Sequence, residues 1–463
     1  MTESRRISSS EWFLMIGAAL WALVLVVKWP AALSFGDEVG YVGQIRVLLQ
    51  GRFRASPEDP GVWFAGPQGL VSKYPYFVTL LEAPLFALSP RLLFAVGPLS
   101  ALALTFIAAR ALRAWGQPPI WALVVLAHPT ITIIARTAMT DLLLSALVVG
   151  AWWTARRDRF VWAAVLAAAA TPTKVYGIVV LAGLLAGEAI RERAALRRRE
   201  RAAVWRVVSL AAGTAIGLAV TVALNYAANG TAWFGYEAAH RDLTTPVFSP
   251  VHLLSTAPVH VATLLLIPPL LAAGAWRLWK RRELGPLFAA GSLTLLMGCY
   301  FFVDRGHSLA ETLLLSPRLI LPAVAFLLIG YADLCAAALP KVPEARGLRL
   351  LMTLAPALIA LPISIRHRAW QAQESQALAA ATAAVAASGE GALGLTTTST
   401  KAGLLFAGRT IAIESGAHPE IVLCGSQYLS YRDPNAPGGA YDCNLPGYQT
   451  LEKRGSYSVL RRR

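Results

Sequence analysis

Long apolar runs, interrupted by short polar stretches, dominate this chain. The first extends from Trp12 to Trp29 (WFLMIGAALWALVLVVKW). Runs of about 18 or more such residues predict membrane-spanning helices. The pattern predicts about eleven spans, near 12–30, 92–112, 118–135, 139–154, 160–172, 175–189, 204–227, 255–276, 285–303, 317–338 and 349–365. The first run exceeds a signal-peptide apolar region of roughly 7–15 residues, and no small-residue cleavage site follows. It is expected to remain as a span. The two short spans, 160–172 and 175–189, read as a pair meeting at TPTK (Thr171 to Lys174). The stretch YPYFVTLLEAPLFALSP (Tyr74 to Pro90) carries three prolines and a glutamate. It is expected to lie in the interface as an amphipathic helix rather than to cross.

The polar breaks set the orientation. Basic clusters occur at Arg5–Arg6, at Arg110 and Arg113, over 156–159, over 191–206, over 277–282, and at Lys341, Arg346 and Arg349. With the N-terminus in the cytoplasm, every cluster falls inside, as Lys and Arg do in short cytoplasmic loops. Past residue 365 the long apolar runs stop. An alanine-rich helix near 369–388 precedes short β-like pieces, ALGLTTT, RTIAIES, EIVLCG and SYSVL. The expectation is a mainly α polytopic membrane protein. Residues 1–365 form the transmembrane part, with an acidic first outer loop over 31–91, and residues 366–463 form a small soluble α/β domain outside.

Composition agrees. Hydrophobic residues make up 56% of the 463 and charged residues only 15%, below the quarter or so of soluble domains. The net charge of +16 is accounted for by the inner loops, so nucleic acid is not an expected partner. There are four cysteines. Cys299 and Cys335 lie in apolar runs, whereas Cys424 and Cys443 lie in the tail and can pair if it faces an oxidising compartment. No CxxC motif, P-loop or internal repeat occurs, and the lone GEGALG (Gly389 to Gly394) lacks a preceding strand.

On this topology the outer face collects Asp37, Glu38, Arg46, Lys73, Glu82, Arg136, Asp141, Lys174, His307, Glu311 and Arg318. Ionisable groups at membrane depth are functional candidates. Arg46, Arg52 and Arg54 read as headgroup anchors and His307 as a loop residue. Asp37, Arg136, Asp141 and Lys174 are harder to assign to the surface alone. Clustered cations at an outer membrane surface suit a lipid phosphate. A carboxylate beside them can take a proton from a hydroxyl nucleophile. Sugar transfer from a lipid phosphate needs both. A lipid or solute transporter is the alternative, for which mid-span charges, paired repeats and broken helices would be expected.

Five segments, in order, resemble the C-type glycosyltransferase superfamily, which includes bacterial aminoarabinose transferases and protein O-mannosyltransferases. They are GDEVGYVGQIRVLLQGRF, SKYPYFVTLLEAPLFAL, HPTITIIARTAMTDLLLSAL, ATPTKVYGIVVL and LSPRLILPAVAFLL. The resemblance implies a polyprenyl-phosphate sugar donor, a lipid, glycan or protein acceptor, and transfer with inversion on the outer face of a bacterial inner membrane. It puts the proposed base on Asp37 and a second catalytic aspartate on Asp141. It puts lipid-phosphate cations on Lys73, Arg136, Lys174 and Arg318, with Glu38 and Tyr74 also at the substrate. It leaves a divalent cation open, with Asp37, Glu38 and Asp141 as candidate ligands. The chain has KYPY where the family often has Lys-Pro-Pro, and PRLILP where an aromatic commonly follows the Arg.

Overall fold

The computed structural model describes most of residues 9–338 and 374–463, apart from 233–245, 267–270, 304–308, 426–442 and a few single residues or pairs. Nearly all of the expected span at 349–365, with Arg5–Arg6, Lys341, Arg346, Arg349, His307 and the side chain of Glu311, lies outside the described residues. The described chain is mainly helical. Helix α1 (Ser9–Val27) is followed by α2 (Gly36–Leu49), a hairpin of β1 (Phe64–Gly66) and β2 (Gly69–Val71), α3 (Tyr76–Leu88) and α4 (Val96–Ala114). Then come α5 (Leu123–Ala127), α6 (Pro129–Ile134), α7 (Asp141–Arg156), α8 (Phe160–Thr173), α9 (Gly177–Arg191), α10 (Arg193–Arg197) and α11 (Arg201–Asn229). Beyond it lie α12 (Leu253–Leu266), α13 (Leu271–Lys280), α14 (Leu284–Gly298), α15 (Leu309–Leu315) and α16 (Leu321–Ala338).

Four helical stretches among the described residues are long and apolar enough to cross a membrane: Ser9–Val27, Pro90–Ala114, Arg201–Asn229 and Ser316–Ala337. They differ in what covers them. Only 17% of the α1 stretch is buried, against 94% for the last. The α1 surface is what lipid would contact, and α16 is the centre of the bundle. Helix α8 packs against α7 and α11, α9 against α14, and α13 against α16. Small residues permit the α8–α11 approach. A Cβ on Gly213 would strike the backbone of Ala164, and one on Gly217 that of Ala168. The spacing of four puts both glycines on one face, as in close helix pairs within membranes.

The expected span 118–135 is not one helix. A 3₁₀ turn (Pro119–Ala122), α5 and α6 replace it. The cause is Pro129: His128 before it is extended (φ −67, ψ 126), as a residue preceding proline tends to be. An apolar run reads as continuous by composition even where proline interrupts its hydrogen bonds.

The tail contains a helix, α17, at 374–388 and the short α18 (Thr400–Gly403). Among the described residues its five strands are β3 (Ala392–Leu395), β4 (Arg409–Ala412), β5 (Ile421–Cys424), β6 (Tyr448–Arg454) and β7 (Tyr457–Arg462). Their order is β4-β3-β5-β7-β6, with β3 parallel to β4 and β5, and β7 antiparallel to β5 and β6. Ala377, Leu378, Ala381 and Val385 of α17 recur at helical spacing and join the core of Leu393, Leu395, Tyr457 and Val459. Cys424 and Cys443 form a disulfide with Cα atoms 5.8 Å apart.

The tail rests on α2. Arg46 donates from Nε to the Leu404 carbonyl (2.9 Å), from Nη1 to that of Gly408 (3.1 Å) and from Nη2 to that of Phe406. Lys401 reaches the Ser34 carbonyl at 3.2 Å. The anchor reading of three arginines therefore changes. Arg46 is a docking residue, Arg52 pairs with Asp59 at 2.9 Å, and Arg54 donates to the Ala228 carbonyl at 3.2 Å.

Candidate active site

The site forms where α2, the segment before α3, the α8–α9 junction and the 3₁₀ turn Ser316–Ile320 meet. A cavity of about 420 Å³ opens there. Its polar lining is Asp37, Lys73, Lys174 and Arg318 with Tyr41, Tyr74 and Tyr176. Its apolar lining includes Ile178, Val179, Phe248, Leu296, Met297, Phe301 and Phe302. Tyr300 packs within the apolar wall, its ring 5.1 Å from that of Phe248 and 5.0 Å from that of Phe301.

Asp37 sits in the first turn of α2 with both carboxylate oxygens held. Tyr74 donates to Oδ1 at 2.8 Å, and Arg318 Nη1 to Oδ2 at 2.8 Å. Burial opposes the charge on Asp37. Arg318, Lys73 and Lys174 outweigh it and hold the carboxyl well below the usual carboxylate range. Tyr74 is fixed in its turn. Its ring covers Gly40, where any Cβ would collide with it, and its carbonyl accepts from Gln44 at 2.8 Å. Lys73 Nζ lies 5.2 Å from the Tyr74 ring centre and 6.0 Å from that of Phe64. The Arg318 guanidinium stacks 5.1 Å from the centre of Phe35.

Asp141 repeats the arrangement one layer deeper. Its Oδ1 accepts from Lys174 Nζ and from the Tyr176 hydroxyl, each at 2.7 Å. Asp141 is fully buried and does not line the cavity, whereas Lys174 and Tyr176 do. Pro172 makes this possible. The chain leaves α8 just after it, and Lys174 is extended (φ −150, ψ 150), so its side chain turns inward between two short helices.

Besides Asp141, two expected site residues, Glu38 and Arg136, lie off the cavity lining. Glu38 is buried with every oxygen engaged: Oε2 accepts from the amides of Ser34 (2.5 Å) and Phe35 (2.6 Å), and Oε1 from that of Ala138 (2.5 Å). It caps α2 and ties it to the loop before α7, which removes it as a substrate or metal ligand. Burial pushes it up to about 7, against three amides that favour the ionised form. Arg136 is buried among the same elements but outside the cavity. Glu82, on α3, is buried too, and burial with Glu38 nearby pushes it up to about 8.

The carboxylates also fail to form a metal site. Asp37 faces Arg318 and Tyr74, Glu38 faces amides, and Asp141 faces Lys174 and Tyr176. Both oxygens of Asp37 and of Glu38 accept hydrogen bonds, and Oδ1 of Asp141 takes both of that residue's donors, with Oδ2 left buried and unbonded. Among the described residues no group of three or more His, Cys, Asp or Glu side chains converges. Tyr41, Tyr176 and the aromatic wall escaped the sequence reading. Tyr176 lies two residues past Lys174 in a segment already singled out, so a search for hydroxyls near the outer charges would have found it.

The chain is similar to membrane glycosyltransferases of the C type, in fold and in part of its sequence. The model of glycosyltransferase family 87 matches residues 73–303. Two solved structures of ArnT from Cupriavidus metallidurans share the fold. The one bound to undecaprenyl phosphate has a TM-score of 0.53 at 16% identity, and the apo one 0.50 at 17%. Each alignment covers 86% of this chain and 75% of the other. The Archaeoglobus fulgidus oligosaccharyltransferase in its apo form aligns with a TM-score of 0.47 at 11% identity over 90% of this chain and 69% of that one. No curated protein sequence matches the chain.

Proposed function

We propose that the chain transfers a sugar from a polyprenyl-phosphate donor to a hydroxyl-bearing envelope acceptor (lipid, glycan or protein) on the extracytoplasmic face of a bacterial inner membrane. The observation that carries this reading is the convergence of Asp37, Lys73, Lys174 and Arg318, distant in sequence, on one cavity with an apolar and aromatic remainder. Cations there suit a phosphate and the apolar wall suits the lipid that bears it. The ArnT structure bound to undecaprenyl phosphate supports the same donor class. Residues 366–463 would form an extracytoplasmic domain seated over the cavity's α2.

In the step proposed, Asp37 takes the proton of the acceptor hydroxyl and that oxygen attacks the anomeric carbon. The bond from carbon to phosphate oxygen breaks with its electron pair going to the phosphate, and the configuration inverts. Lys73, Lys174 and Arg318 stabilise the charge that develops on the leaving group. Asp141 is a positioning residue, holding Lys174 and Tyr176 at the cavity wall. No step passes through a metal.

Purified protein in detergent, supplied with polyprenyl-phosphate-linked sugars, tests transfer. Product should form with wild type and about 10²–10⁴-fold more slowly with Asp37→Asn. A mass-spectrometric comparison of envelope glycans and lipids from wild-type and deletion cells would identify the sugar and acceptor, and an unchanged envelope would count against the reading.

A further inference from the structure

The carboxylate best placed to be the base is also the one least able to accept a proton. Asp37 Oδ2 is bound by Arg318 at 2.8 Å and Oδ1 by Tyr74 at 2.8 Å. Lys73 and Lys174 reinforce its negative charge. A base so neutralised is a poor one, because its proton affinity falls with each cation beside it. Arg318 also lines the cavity and is 2% exposed, so it faces the same space a donor phosphate would enter. A guanidinium offers its fork to carboxylate and phosphate alike.

We infer that Arg318 serves two anions in turn: Asp37 in the empty site and the donor phosphate in the loaded one. The inference rests on the transfer reading above. When the phosphate takes Arg318, Asp37 keeps only the Tyr74 hydrogen bond and gains a negative neighbour. Its proton affinity then rises, in the presence of donor alone. The base is thus switched on by the group it must act against, and the donor binds before the acceptor is activated. Tyr74 is a positioning residue for Asp37 in this scheme, whereas Arg318 holds Asp37 first and the phosphate afterwards. After transfer, the acceptor's proton is on Asp37 and the free phosphate still holds Arg318. Release of polyprenyl phosphate returns the guanidinium to Asp37, and the proton leaves to water.

The test is a double-mutant cycle read by binding of undecaprenyl phosphate to detergent-purified protein. Asp37→Asn removes the competitor for Arg318 and should tighten binding roughly tenfold or more, the worth of one charge-assisted hydrogen bond. Arg318→Gln should weaken it. The tightening by Asp37→Asn should be much smaller when Arg318 is already Gln, leaving only the relief of repulsion between Asp37 and the phosphate. A merely structural role for the pair would not tighten binding in any variant. Equal tightening in both backgrounds would mean simple charge repulsion and would overturn the exchange, as would no tightening at all. Absence of undecaprenyl phosphate binding by wild type would overturn the donor reading and the exchange with it. Should Arg318→Gln not fold, Arg318→Lys replaces it. Lysine keeps the charge but not the fork, and the gain from Asp37→Asn should then shrink. An undiminished gain overturns the proposal.

Discussion

At the scale of single residues the site is two carboxylates, each held by one cation and one tyrosine. The two differ in burial, and that difference assigns their roles. Asp37 faces the cavity, so Asp37→Asn should lower turnover by about 10²–10⁴-fold, the usual general-base contribution. Its folded-state pKa is depressed, so its pairing contributes stability above the ordinary carboxylate range. That stability is lost progressively as pH falls from the unfolded value to the lower folded one. Without donor, the Asp37–Arg318 pair should therefore survive acidification through about pH 4. Thermal unfolding midpoints of wild type and Asp37→Asn, compared between about pH 7 and 4, check this: a gap that closes near 4 would contradict it. Asp141 behaves otherwise. Removing one partner of a buried pair strands the other charge at a cost of about 3–5 kcal/mol, whereas removing both costs much less. Asp141→Asn should destabilise the protein strongly, and adding Lys174→Met should restore much of the loss without restoring activity. Strictly additive losses in unfolding measurements would uncouple the two residues.

At the scale of elements, α2 connects the tail to the chemistry. Lys401 binds the Ser34 carbonyl three residues before Asp37, and Arg46 binds three carbonyls of the tail from the last turn of the same helix. Within the tail, Glu374 of α17 accepts from the Tyr457 hydroxyl, and burial pushes it up to about 7. A raised carboxyl contributes its stability fully below the unfolded value and loses it as pH rises through the folded one. Glu374→Gln should then stabilise the protein at about pH 8 and do little at about pH 5, as unfolding at the two values would reveal. Much of this scale was readable in the sequence. Charge at span ends led to Asp37, Lys73, Lys174 and Arg318 because ionisable groups are costly there, and four of the tail's strands lie in the short β-like runs. Strand β6 (YQTLEKR) was not readable, since its exposed edge is polar and lacks the apolar alternation that marks a strand. The capping of α2 by Glu38 and the docking by Arg46 were hidden for a different reason. Their partners are backbone groups up to 362 positions away, which carry no residue-type signal.

At the scale of the whole molecule the question is which ends of the bundle share a side of the membrane, and α11 answers it. Near its start, Arg206 pairs with Glu192 (2.6 Å) and Asp158 (2.8 Å). Arg156, Arg191, Glu188 and Glu283 extend this into one ionic network at the ends of α7, α9 and α14. Near its finish, the Ala228 carbonyl accepts from Arg54 in the loop between α2 and α3. The helix rises about 33 Å between residues 206 and 228 at ~1.5 Å per residue, close to the ~30 Å of a bilayer's hydrocarbon core. The ionic network and that loop thus lie on opposite faces, and Asp37, α2 and the docked tail lie with the loop. Basic residues dominate the network's side, as they do on the cytoplasmic face. We therefore expect Arg198 inside and Glu58 and Glu452 outside. All three are exposed enough to label, with side chains 68%, 57% and 40% accessible. In a variant with Cys299 and Cys335 replaced and the tail disulfide kept, single cysteines at these positions should react with a membrane-impermeant maleimide at 58 and 452 in intact spheroplasts. The cysteine at 198 should react only after lysis. Labelling at 198 in intact spheroplasts, or protection at 58, would turn the molecule over and place the cavity on the cytoplasmic side.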